Sequence, residues 1–187
     1  QIKRFHSFEP GTMDHAVYGA ELLFGPEQMI RRFVKDPSFD QLICVAIAKH
    51  SDFKLEGIED KRTLLHARLI RDADKLDNCR VKLEESMETL LDMDEKTVGA
   101  SPISPKVWES CKAEESVLSA DRKTGMDYWM SYLALYFDIN FPETYQIIKE
   151  QDYIRRIAER VPYSREDTKE KVAYTVKKLE EKMNIQP

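Results

Sequence analysis

Apolar residues recur at helical spacing along most of this 187-residue chain. The clearest example is the segment 64–78, LLHARLIRDADKLDN, in which an apolar residue returns every three or four positions. No stretch alternates apolar and polar residues for long enough to indicate a β-strand. We therefore predict an all-α fold, in which a single helical domain carries an additional C-terminal helical part.

Two acidic residues occupy informative places in the segment 64–78. On a helical wheel the apolar residues share one side: Leu65, Leu69, Ala73 and Leu76. The basic residues lie opposite: Arg68, Arg71 and Lys75. Asp72 and Asp74 flank the apolar side from its two edges, and a carboxylate at the margin of a buried stripe is costly unless it is hydrogen-bonded, ion-paired or bound to a metal. Both acids are therefore candidate functional residues, and a surface ion pair with a neighbouring cation is the alternative.

Two histidines mark the ends of apolar helical segments farther upstream. His15 begins a helix that Asp14 is placed to cap, and His50 ends the segment LICVAIAKH. Imidazole and carboxylate ligands suit first-row divalent metals and leave positions open for water and a substrate oxygen. These residues suggest a metal site built between helices, although a structural role remains the alternative for each histidine. Of the other two histidines, His66 is assigned to the core and His6 to a surface loop.

Three segments together resemble a known family. DHAVYGAELLF, AIAKHSD and LIRDADKLDN follow one another as do the downstream segments of the HD-domain superfamily of metal-dependent phosphohydrolases, and the resemblance covers about residues 1–90. It implies an all-helical fold and a metal site made of a histidine, a His-Asp doublet and a later aspartate. Asp74 matches the final aspartate within the pattern Ala-Asp-x-Leu, and Asp72 is the alternative.

The resemblance also implies roles for residues outside that pattern. His15 and His50 match positions that line the pocket in many members and that bind a second metal in members with two-metal sites. The implied function is a metal-dependent phosphohydrolase that acts on a nucleotide or another small phosphate ester. In this interpretation His15 and His50 are catalytic and are further candidate metal ligands, Asp74 binds the metal, and Lys49 and Arg71 bind the substrate. The ligands leave the divalent ion open among Mn, Fe, Co, Ni, Zn and Mg.

One part of the family signature does not occur in these 187 residues, namely the His-Asp doublet. In the family the doublet lies shortly before a segment like QIKRFHSF, so we expect the missing ligands upstream of Gln1. The first residue is not Met, which supports the same expectation. The alternative is a non-catalytic helical binding or regulatory module that retains the HD fold without a complete metal site.

Charge and composition limit the partners. The net charge of −5 argues against binding to a nucleic-acid polymer, because phosphate neutralisation requires an excess of Lys and Arg. No apolar run approaches the roughly 20 residues that cross a bilayer, so we expect no membrane partner. The cysteines at 44, 79 and 111 are typical of reduced thiols rather than of a disulfide framework. We expect a cytoplasmic protein whose partner is a small phosphorylated molecule.

The segment GASPISP, residues 99–105, is the clearest linker in the chain. It predicts HD-like metal-site helices over residues 1–98 and a C-terminal helical extension over residues 99–187, packed on the same domain. The extension contains a densely aromatic helix, MDYWMSYLALYFDI. We expect this helix to belong to a core-forming or dimer-forming helix pair, so a homodimer is possible.

Overall fold

The computed structural model describes residues 14–185, and this part of the chain is helical without any strand. The all-α prediction is therefore confirmed for these residues. The ten α-helices of this range are α1 (His15–Phe24), α2 (Asp40–Lys49), α3 (Lys61–Glu84), α4 (Met87–Leu91), α5 (Glu95–Ala100), α6 (Pro105–Lys112), α7 (Gly125–Ala134), α8 (Pro142–Glu150), α9 (Tyr153–Glu159) and α10 (Glu166–Ile185). Short 3-10 helices lie at Met29–Arg32, Pro37–Phe39, Ser119–Asp121 and Leu135–Phe137. Between residues 14 and 185, no helix combines the length and the apolar character needed to cross a membrane.

Contacts divide the chain into two compact units, a first unit of residues 1–71 and a second unit of residues 72–187. The division falls within α3, whereas the predicted boundary lay between residues 98 and 99. The difference has a physical reason. Met87 and Val98 precede the predicted boundary, yet they are 1% and 0% exposed within the core that the C-terminal helices build.

In the first unit, α1 packs against α2. Small buried residues of the two helices allow a close approach: Ala16, Ala20 and Ala46. Ile47 of α2 also lies near α1, since its Cγ2 atom is 3.7 Å from the place that a Cβ atom would take at Gly19. Asp14 caps α1 as predicted, because its carboxylate accepts hydrogen bonds from the first free amides of the helix. This packing brings the start of α1 to the end of α2.

The buried side of α3 differs from the predicted one. Leu65 and Leu69 are 52% and 54% exposed, whereas Arg71 and Lys75, predicted on the opposite side, are 7% and 5% exposed. Arg71 donates hydrogen bonds to three main-chain carbonyls, and Lys75 forms an ion pair of 2.8 Å with Asp138. The assignment to the core is wrong for Leu65 and Leu69, whereas Leu76 of the same side is partly buried and packs against the core of the second unit. Oxygen partners elsewhere in the chain compensate the burial of the two cations.

The aromatic helix α7 lies in the core of the second unit. Its fully buried apolar residues are Met126, Trp129, Met130, Leu133 and Ala134. Tyr136 and Phe137 extend the same core through the 3-10 helix that follows. The prediction of a core-forming helix is confirmed, and the homodimer stays a prediction.

The start of α7 is fixed by a buried carboxylate. Asp127 is 0% exposed, and its oxygens accept hydrogen bonds from the amide of Ser104 at 2.7 Å, from the Ser104 hydroxyl at 2.6 Å and from the amides of Lys123 and Thr124 at 2.8 and 3.1 Å. The Thr124 hydroxyl accepts in turn from the Asp127 amide, which completes a capping box. Asp127 therefore joins the loop before α6 to the loop before α7.

We expect the three thiols to differ sharply in reactivity. Cys79 and Cys111 are 0% exposed, and burial raises the pKa of Cys79 to about 11 and that of Cys111 to about 12. Cys44 is only half-buried, although burial also raises the pKa of its thiol. Because the thiolate is the reactive form, a thiol reagent should modify Cys44 first and the two buried thiols only as the chain unfolds. Stopped-flow labelling in native buffer measures this order. The variant Cys44→Ser should lack the fast phase, and a fast phase that survives in it would contradict the assignment.

Candidate functional site

The structure brings two predicted site residues into contact within the first unit. The Nε2 atoms of His15 and His50 lie 3.3 Å apart. The two rings meet edge to face, with centroids 5.1 Å apart and an interplanar angle of 77°. His15 begins α1 and His50 follows α2, so the packing of these helices produces the contact. His15 is exposed and His50 is half-buried, so the pair is open to solvent.

Hydrogen bonding fixes the orientation of His50. Its Nδ1 atom lies 2.7 Å from the main-chain oxygen of Ile47. Because a carbonyl oxygen can only accept, Nδ1 carries the proton in this contact. In a neutral His50 the Nε2 atom therefore presents a lone pair toward His15. Histidines that bind metals use their second ring nitrogen in this way, as a donor to a carbonyl or carboxylate oxygen.

The spacing of the two Nε2 atoms fits two ligands of one divalent ion. A tetrahedral zinc ion with Zn–N bonds of about 2.0 to 2.1 Å holds two ligand nitrogens about 3.4 Å apart, and the observed separation is 3.3 Å. For both nitrogens to bind, His15 must carry its own proton on Nδ1. Within each unit, over residues 14–185, no group of three or more His, Cys, Asp or Glu side chains is placed to hold an ion. The histidine pair by itself offers two nitrogen atoms to an ion.

Asp72, the alternative metal ligand, serves the structure of the second unit. Its side chain is 1% exposed. It accepts hydrogen bonds from the Asn140 main-chain amide at 3.0 and 3.1 Å, from the Asn140 side-chain amide at 2.7 Å and from the Phe141 amide at 3.0 Å. These amides lie at the entry to α8, where main-chain donors have no partner within the helix. Both oxygens of Asp72 are thus engaged, which favours Asp74 as the candidate ligand.

Asp74 has a different environment. It is exposed, and one of its oxygens lies 3.2 Å from the Asn78 side-chain amide, which also donates to the main-chain oxygen of Asp74 at 2.9 Å. Among residues 14–185 its other carboxylate oxygen has no hydrogen-bond partner. Asp74 is therefore able to offer an oxygen to a ligand without losing a contact that holds the fold.

Both predicted substrate-binding residues have protein partners in the first unit. Lys49 lies 3.1 Å from a carboxylate oxygen of Asp52. The Arg71 guanidinium donates to the main-chain oxygens of His50 at 3.0 Å and Phe53 at 2.9 Å, and also to that of Asp52. These contacts hold the segment after α2 and the backbone of His50, which favours a positioning role for Arg71. Local sequence did not reveal this role, because main-chain carbonyls carry no residue signature.

Two further residues of α3, His66 and Lys82, differ in burial. His66 of α3 is half-buried, and His6 lies outside the described residues. Lys82 is only 7% exposed and is not among the predicted site residues. The sequence could have predicted the burial of Lys82 once Lys75 was known to be buried, because Lys82 follows Lys75 by seven positions and so shares its side of α3.

Comparisons of the chain with protein-family models, with curated proteins and with solved structures find no match. Membership of the HD-domain superfamily therefore stays a prediction from the motifs at residues 14–24, 46–52 and 69–78.

Proposed function

We propose that this chain belongs to a metal-dependent phosphohydrolase that acts on a nucleotide or another small phosphate ester. The observation that supports the proposal best is the contact between His15 and His50, with nitrogens 3.3 Å apart. The family resemblance points to the same two residues. In the proposal Asp74 is the carboxylate ligand. The family's His-Asp doublet does not occur among the 187 residues, so a complete site needs ligands in addition to these three.

The two histidines have chemistry suited to phosphate-ester hydrolysis. A divalent ion held by them would supply an activated water and neutralise charge on the phosphoryl group. His50 keeps its Nδ1 proton on the Ile47 carbonyl, so only its Nε2 atom takes part. Without a bound ion, the same Nε2 atom of His50 could instead deliver a proton to a leaving oxygen, which is general acid catalysis, so metal binding and proton transfer exclude each other at this atom.

We expect the variant His50→Ala to bind Mn²⁺ or Zn²⁺ about 10- to 100-fold more weakly than the unaltered protein, since it loses an anchored ligand. The measurement is calorimetric metal titration of the full-length natural polypeptide, followed by phosphatase assays with p-nitrophenyl phosphate and nucleoside monophosphates. His66→Ala is the matched control, because His66 is half-buried in α3 and is not part of the pair. Unchanged metal affinity and turnover in the double variant of His15 and His50 would contradict the proposal.

A second candidate function is a non-catalytic helical binding or regulatory module. The observation in its favour is that two predicted site residues, Asp72 and Arg71, are occupied by hydrogen bonds that hold the fold. This module would retain its helical circular dichroism yet bind no divalent ion and hydrolyse none of the phosphate esters. Metal binding by the unaltered full-length polypeptide, together with its loss in His50→Ala, would exclude this second function.

A further inference from the structure

The second unit contains a buried lysine without an anionic partner. Lys82 is 7% exposed, and its ammonium nitrogen lies 3.9 Å from the centroid of the Tyr132 ring. Within residues 14–185 this ammonium makes no hydrogen bond and no ion pair. Lys75, on the same side of α3, shows the usual solution for a buried lysine, since it binds the Asp138 carboxylate at 2.8 Å. The three N–H donors of the Lys82 ammonium therefore have no acceptor among the described residues, and burying a donor without an acceptor costs free energy.

The Lys82 nitrogen is not sealed within the protein. The enclosed side-chain atoms without a partner in the described residues are those of Ser116, Trp129, Tyr136, Tyr145 and Thr168, and the nitrogen of Lys82 is not among them. The ammonium nitrogen therefore keeps some contact with solvent. Burial lowers the pKa of Lys82, whereas the negative charge of Asp74 opposes that shift. The ammonium is thus poorly hydrated, and its environment would be improved by an anion.

A second cation approaches the same face of α7. The Arg122 guanidinium lies 4.7 Å from the centroid of the Tyr128 ring, one helical turn before Tyr132. Burial raises the pKa of Tyr132, and the positive charge of Arg122 acts to lower it. Neither tyrosine hydroxyl forms a hydrogen bond within the described part of the chain. Lys82 and Arg122 thus lie against two rings one turn apart on α7, and we name Lys82, Arg122, Tyr128 and Tyr132 the Lys82 cluster.

We propose that the Lys82 cluster binds an oxyanion of the phosphate type, either inorganic phosphate or the phosphate group of an ester. Its ligand must be anionic, because the cluster offers two cations and two hydroxyl donors. Phosphate fits better than a carboxylate, since it presents more acceptor oxygens and carries up to two negative charges at neutral pH. The inference goes beyond the proposed function, because it assigns a ligand site that needs neither a metal ion nor turnover.

Calorimetric titration with inorganic phosphate tests the cluster in the full-length polypeptide kept metal-free with EDTA. We expect saturable binding by the unaltered protein and a loss of affinity of about 10-fold or more in Lys82→Met, since a charge-assisted contact is removed. Arg122→Met should also weaken binding. Lys177→Met is the matched control, because the Lys177 side chain is 75% exposed on α10 and should leave phosphate affinity unchanged.

Three results would overturn the proposal: no phosphate binding by the unaltered protein, equal affinity in Lys82→Met, or equal binding of acetate at the same ionic strength. Loss of folding is not expected in Lys82→Met, because methionine replaces an unpaired buried charge with an apolar chain of similar volume. If Lys82→Met nevertheless failed to fold, the phosphate affinity of Arg122→Met would test the proposal instead. Because EDTA removes divalent ions, failure of the phosphohydrolase proposal does not affect this result. A phosphomonoester that competes with inorganic phosphate would identify the ester as a ligand of the same cluster.

Discussion

Replacing Asp72 by alanine should lower the free energy of unfolding of the second unit by about 3 to 5 kcal/mol. The Asp72 carboxylate is 1% exposed and accepts from both amides of Asn140 and from the amide of Phe141. Alanine would leave these donors without a partner at the entry to α8. A hydrogen bond to a charged group contributes about 1.5 to 3 kcal/mol, and the stranded donors add their own desolvation cost.

Urea unfolding followed by circular dichroism measures this change. Asp77→Ala is the matched control on the same helix, because the Asp77 side chain is 64% exposed and pairs only with Arg80 among residues 14–185. A surface pair of this kind contributes at most about 1 kcal/mol. Asp72→Asn should also be destabilising, since an amide nitrogen would face donor groups in place of a carboxylate oxygen. A loss below about 1 kcal/mol in Asp72→Ala would show that the carboxylate does not hold α8.

The helical character of the chain could be predicted from sequence because it depends on local spacing. The start of α1 follows from Asp14, whose side chain meets the nearest free amides, and the core position of α7 follows from its dense apolar and aromatic content. The orientation of α3 could not be obtained in this way. Arg71 and Lys75 are buried because their oxygen acceptors come from other segments, and in the case of Asp138 the acceptor is 63 residues away.

The residues of the candidate site likewise separate into those that local sequence identifies and those that depend on contacts far along the chain. The motifs identified His15 and His50, and their contact depends on the packing of α1 against α2, which small buried residues favour. Helical phase alone did not choose between Asp72 and Asp74. The choice came from the loop before α8, whose amides occupy Asp72 from 68 residues away. Long-range donors therefore determine which of the two acids has a free carboxylate oxygen.

Replacing Asp74 by alanine should have the converse effect, with almost no change in stability and a large loss of function. Asp74 is exposed, and the one hydrogen bond of its carboxylate among residues 14–185 is the 3.2 Å contact with Asn78, so its removal should change the free energy of unfolding by less than about 0.5 kcal/mol. If Asp74 is the carboxylate ligand, phosphatase turnover should fall by at least about 100-fold. Replacing a residue that only hydrogen-bonds to a metal ligand can lower activity by about that factor, so replacing a ligand should cost at least as much.

The measurements are metal content after dialysis, turnover with p-nitrophenyl phosphate and urea unfolding, all on the full-length polypeptide. Asp77→Ala again serves as control, three positions along α3. Full turnover and metal content in Asp74→Ala would remove Asp74 from the proposed site. A comparison with Asp72→Ala then separates the two acids. A variant that loses activity only in proportion to its unfolded fraction has lost a structural carboxylate, whereas a variant that stays folded and inactive has lost a ligand. Because Asp72 and Asp74 are two positions apart on one helix, they face different sides of it, and this difference would arise from the different partners that each one meets.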